Sequence, residues 1–340
     1  VYANVSQSAT AVNGDASVGD IQIGDVLLTV GDADPPAYAT FSVYNHASAT
    51  SGDAQVGAIT IGDIDVSVGD GVVNVAEAYV SIWAEGDVDG GALTFGDITI
   101  GNVDMDAQVS GSAYLYVYMT GSASDTGDSI TLGNLTMGDV DMWADGFGSV
   151  YFSLTVGANE NALSIASSMG NMTFGDIHLQ VENSGYMSFS HQFFADDIGA
   201  ISYGDLSLIL GQNSTLALAT ISASAFEMDI ASFTIGTVNI DMTTGATESA
   251  SGINLIARRS IGDISVGGID FVANGATVWN SGFDLFASAA LGDIGDITYG
   301  DISLVANQFS AAANHSATFT ADDDIASFAM GDVYLEAVGT

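Results

Sequence analysis

The sequence predicts an all-β fold, a β-solenoid of about ten coils, and three observations predict it. A ten-residue block, apolar–Gly–Asp–apolar–Thr–apolar–Gly–Asp–apolar–x, recurs along the chain; its clearest copy is Phe95-Gly96-Asp97-Ile98-Thr99-Ile100-Gly101-Asn102-Val103-Asp104. Copies start at Val18, Val56, Phe95, Leu132, Met169, Ile198, Ile230, Ile261, Ile294 and Ile325, so the steps run from 29 to 39 residues, a range of periods that signals solenoids, propellers or arrays. Aligned copies also place like residues in columns, as stacked coils do.

Inside a block the apolar residues step by two, then by three. Ile21 and Ile23 are two apart, Gly24-Asp25 follows, and Val26 and Leu28 resume the two-step. A two-step sends alternate side chains to opposite faces of a strand. The three-step at Gly-Asp restores the phase, so both flanking segments face one core. Gly-Asp is read as a corner or bulge, because Gly tolerates positive φ and Asp bonds local backbone in turns. The fourth column (Ile21, Ile59, Ile98, Leu135, Met172, Ile201, Phe233, Ile264, Ile297, Phe328) is apolar throughout and belongs in the core. The next column, mostly Thr from Thr60 to Thr298, is an outward hydroxyl ladder, and the column after the second Gly, from Asp25 to Asp332, is mostly acidic and solvent-facing.

In chain order, Val1–Ser17 leads with an alternating strand and the turn signal Asn13-Gly14-Asp15. A second strand follows each block. In the first five of these strands a Tyr recurs (Tyr38, Tyr79, Tyr114, Tyr151, Tyr186) and predicts an aromatic ladder packed between coils. Near Ile198 the repeat shortens and the Tyr column ends. With no Pro-rich or Ser-rich linker there, the chain reads as a single elongated solenoid over 1–340, with longer coils in 1–197 and shorter ones in 198–340. The tail from Ile325 to Thr340 carries a block without a second strand, whereas Val1–Ser17 carries a strand without a block. The two ends thus read as complementary half-coils. A β-propeller is the main alternative, although repeats of 29 to 33 residues are short for its blades. Cross-β rungs within one chain are physically close to the solenoid.

Charge narrows the function classes. Forty-two acidic residues stand against Arg258 and Arg259, a net −40, so nucleic acid and anionic membranes are poor partners. No apolar run is long enough for a transmembrane segment. Without Cys there is no disulfide, thiolate nucleophile or Cys-based metal site. A surface nearly free of Lys and Arg suits an extracellular setting rich in salt or divalent ions.

In general character the chain resembles repeat-built extracellular β-solenoid proteins, including adhesin stalks, secreted fibre subunits and functional-amyloid-like fibres. The resemblance spans all ten blocks and is one of architecture. It implies a scaffolding or adhesive role at a cell surface or in a matrix and no particular catalytic residue.

No catalytic residues emerge. His46, His178, His191 and His315 lack any His-x-x-x-His or His-Glu spacing and read as solvated or packed; there is no Gly-x-Ser-x-Gly elbow, and no Lys for a phosphate loop. No cofactor is required. Calcium is the one candidate ion, since stacked carboxylates repel unless screened and Ca²⁺ takes six to eight oxygen ligands. Its candidate ligands are Asp25, Asp63, Asp139 and Asp176 in the column, with Asp196, Asp197, Asp322, Asp323 and Asp324 in turns. A solvated acidic face explains the same residues, and the Gly-Gly-x-Gly-x-Asp motif of calcium β-rolls is absent. The Thr column is similar to those of ice-binding proteins, but an acidic column beside it disfavours that use. Asn4, Asn134, Asn171, Asn213 and Asn314 head glycosylation sequons, which chance alone supplies in so Asn- and Ser-rich a chain. The leading expectation is therefore a subunit of an extracellular filament or matrix fibre that polymerises with itself head to tail. A calcium-dependent adhesin or surface-layer segment is the alternative.

Overall fold

The long strands and the blocks form two walls of one stack. The structure, a computed structural model, describes the chain apart from residues 32–36, 70–75, 109–110, 161–165, 250, 276–282, 308–314 and 339–340. It is a parallel β-solenoid of about nine turns. Each coil runs one long strand across a wide wall and then returns through its block on the opposite wall. The wide wall is built, in order, from Tyr2–Val12, Ala37–Thr50, Ala76–Asp89, Ser112–Ala123, Ser149–Glu160, Tyr186–Ala195, Thr215–Ala225, Ser251–Ala257, Phe283–Ala289 and Ala317–Ala321. In the first five coils the block divides into three short strands, as in Ala54–Val56, Ile59–Ile61 and Ile64–Val68. In later coils it straightens into longer ones such as Ile261–Asn274, which is how the cross-section changes past Ile198. Among the described residues there is no helix, and so none able to cross a membrane.

The in–out pattern follows the sequence columns. Ile59, Ile98, Leu135, Met172, Ile201, Phe233, Ile264 and Ile297 stack in register, each at most 1 % exposed. Thr60, Thr99, Thr136 and Thr173 stack beside them, facing water. Each Gly-Asp pair occupies two successive non-core positions, so the following apolar residue turns inward again. The turn expected at Asn13-Gly14-Asp15 is present, with Asn13 at φ 61°.

One sequence expectation is corrected by the register. Only Tyr79, Tyr114 and Tyr151 share a column; Tyr38 stands beside Glu77 and Tyr186 beside Ser149, each two residues out of step. The connection from Ala144 to Ser149 is as long as that from Val181 to Tyr186, so Tyr186 simply sits two places earlier in its strand than the column. At its ends the chain opens with a long strand and closes with a block, as the sequence reading has it. Tyr2–Val12 pairs with Ala37–Thr50 and belongs to the coil of the first block, while Ala317–Ala321 precedes the tenth block and belongs to its coil. Counted from the long strand, both outermost coils have a long strand and a block.

Candidate functional site

The Gly-Asp corners are the most regular chemistry on the molecule, and they hold coils together. Asp25 Oδ1 accepts the backbone N–H of Asp63 at 3.2 Å, and Asp63 Oδ1 accepts that of Asn102 at 2.8 Å. Asn102, Asp139, Asp176 and Asp205 continue the relay to Asp139, Asp176, Asp205 and Thr237, with distances of 2.9, 2.9, 2.8 and 2.6 Å. It lapses where Thr237 and Gly268 take the position and resumes from Asp301 to Asp332 at 2.9 Å. A second relay runs from Asp97 through Asn134 and Asn171 to Ala200.

This geometry explains both residues of the motif. A β-carbon on Gly101 would lie 2.4 Å from Asp63 Oδ1 and 2.8 Å from Gly62 C, so the carboxylate of one coil fills the space that a side chain on the next would need. Only an Oδ1 acceptor is required, so Asn serves as well as Asp at Asn102, Asn134 and Asn171. Asp63→Asn is therefore expected to leave stability within about 0.5 kcal/mol of the parent, whereas Asp63→Ala loses about 1 kcal/mol with the Asn102 hydrogen bond. Urea denaturation of the two variants measures this, and equal losses would remove the acceptor role.

The four column candidates for calcium, Asp25, Asp63, Asp139 and Asp176, thus share one edge, each with an oxygen committed to backbone. Asp196 is elsewhere and only 6 % exposed: burial raises its carboxyl above the usual range, and its Oδ2 accepts the Ser167 N–H at 3.1 Å. Asp197 opens the strand Asp197–Tyr203, and Asp322, Asp323 and Asp324 lie exposed between Ala317–Ala321 and Ile325–Met330. Among the described residues no three His, Asp or Glu side chains converge as metal ligands.

Three features go beyond what the sequence reading placed. The first is inside the core. His191 occupies the inward column Val117–Leu154–His191–Ile221 and is fully buried, with Nδ1 2.8 Å from Tyr203 Oη. Its ring packs on Phe152 and Phe189 at 4.4 and 4.3 Å. Burial drives its pKa well below the usual histidine value and that of Tyr203 well above the usual phenol value. An isolated His in an apolar alternation was the only signal in the sequence.

The second is an aromatic band on the outside of the wide wall. Tyr114, Tyr116 and Tyr118 lie along one strand with parallel rings (interplanar angles of 8° and 9°), and Trp83 packs on Tyr118 at 4.2 Å. Alternate aromatic residues in Ser112–Ala123 were that signal.

The third is the last coil. Phe328, Met330, Val333 and Leu335 continue columns that are buried elsewhere, yet they are 53, 50, 50 and 68 % exposed. With Tyr299, Ile302, Leu304, His315 and Ala317 they line a recess of about 450 Å³. The first coil is more closed, with Ala16, Val18, Ile21 and Leu28 all buried. No protein family, curated protein or solved structure matches the chain, so geometry carries the functional reading.

Proposed function

We propose that this chain is a structural subunit of an extracellular filament or matrix fibre, in which copies stack head to tail, coil face on coil face. The observation that carries it is the last coil. Phe328, Met330, Val333 and Leu335 are large, apolar and at least half exposed, and each stands in a column whose preceding member is covered by a neighbouring coil. An exposed strand edge is a template for pairing, and apolar columns gain by being covered. The first coil of a second copy supplies a long strand, a block and a corner whose Asp25 N–H is the donor that Asp332 Oδ1, the last acceptor of the relay, would next accept. Such a contact is heterologous and non-closing, so it builds an open polymer. The extreme negative charge suits an extracellular setting rich in salt or divalent ions.

Negative-stain microscopy and sedimentation test this. The parent chain is expected to form rods that lengthen with concentration, with an axial repeat of about 48 Å from ten coils at the usual strand spacing. Val333→Asp with Leu335→Asp, at the exposed end, is expected to keep the β-sheet circular dichroism and remain as single short rods. Polymers of unchanged length in that variant would overturn the reading.

A further inference from the structure

The charge is missing from one part of the surface. Across four successive strands of the wide wall, Ser112–Ala123, Ser149–Glu160, Tyr186–Ala195 and Thr215–Ala225, no described outward side chain is charged. In a chain with 42 acidic residues this leaves a flat neutral field, rich in Ser, Thr and Tyr, bounded on coil three by Glu85 and Asp87.

The aromatic band ends in a step at the edge of that field. Tyr114 and Tyr151 stack between adjacent coils at 5.0 Å and 9°, close to the strand spacing, so their ring planes lie across the solenoid axis. Tyr116 and Tyr118 are parallel to Tyr114 and therefore face along the axis too. On the coil-three side, Tyr79 covers Tyr116 at 5.4 Å and Trp83 covers Tyr118 at 4.2 Å. On the coil-five side their register partners are Ser153 and Thr155, side chains too short to cover a ring. Ser190 and Gln192 follow on coil six. Two aromatic faces thus form a riser above a tread of hydroxyl and amide groups. Beside it a shallow polar recess of about 190 Å³ is lined by Glu85, Asp87, Thr120, Ser122 and Asn159.

We propose that this step binds a neutral polysaccharide, with pyranose CH faces packed on Tyr116 and Tyr118 and sugar hydroxyls bonded to Ser153, Thr155 and Gln192. A pyranose ring has an apolar face and a rim of hydroxyls, and the step offers one partner for each. Burial raises the Tyr116 phenol to about 12, which keeps its hydroxyl a donor. A polyanionic glycan is repelled by the net −40. A cationic ligand finds no carboxylate over the rings, because Glu85 and Asp87 lie one coil away and face Tyr44 and His46 at 3.0 and 3.4 Å. The site does not depend on the filament reading.

The test is retention of the full chain on insoluble cellulose, chitin and β-1,3-glucan, with alginate as the anionic comparison. Tyr116→Ser with Tyr118→Thr places at each column the residue found one coil later, so the variant keeps a side chain the stack already accommodates. Retention by at least one neutral polymer is expected, weakened about tenfold or more in the variant from the loss of two stacking faces. Circular dichroism and rod formation should stay unchanged. No retention on any neutral polymer, equal retention of parent and variant, or retention on alginate matching the neutral polymers would each overturn the proposal.

Discussion

Ile98→Asp is expected to cost about 4 kcal/mol or more, enough to unfold the central coils, while Thr99→Asp next to it costs less than about 1 kcal/mol. Ile98 is 1 % exposed and stacked between Ile59 and Leu135, so a carboxylate there is buried without a partner or must take up a proton. Thr99 stands in the hydroxyl column, open to water between Thr60 and Thr136. Denaturant titrations followed by circular dichroism separate the two cases. Comparable losses would mean that the block does not face the core as described.

That in–out assignment was legible in the sequence because it needs only the local period, two steps and a three-step at Gly-Asp. The stacking was legible because each coil repeats the same columns. The partners of the acidic column were not. The Asp63–Asn102 hydrogen bond joins residues 39 apart, and nothing in one copy of the motif says that the carboxylate reaches the backbone of the next coil. The Tyr column was misaligned at Tyr38 and Tyr186 because an aromatic two places out of register still reaches its neighbour; the Tyr151 and Tyr186 rings lie 5.3 Å apart despite the offset.

Acid is expected to destabilise the protein through His191. Its folded-state pKa lies well below the ordinary value of about 6.5 because the ring is wholly buried, so below that pH the unfolded chain binds a proton that the folded chain refuses. Stability from this group is therefore level above about pH 6.5 and falls below it, by up to about 1.4 kcal/mol per pH unit until the folded pKa is reached. His191→Leu with Tyr203→Phe removes the titrating ring and the hydroxyl it would otherwise strand, and Leu matches Leu154 in the preceding coil. The difference in unfolding free energy between parent and double variant should be constant above neutrality and shift steadily in the variant's favour toward pH 5. A constant difference across that range would sink the assignment, and the shared titration of the surface carboxylates cancels in the comparison.

The corner relay asks only for an oxygen, and Asn102, Asn134 and Asn171 already supply one without a charge. The same stack of coils could thus be built with far fewer carboxylates, which leaves net charge a colloidal variable separate from the fold. At −40 the rods repel sideways over a distance fixed by the Debye length, about 30 Å in dilute salt of 0.01 M and about 8 Å at 0.15 M. The spacing between neighbouring rods, and so the porosity of any mesh they form, is then governed by the ionic strength of the surrounding water.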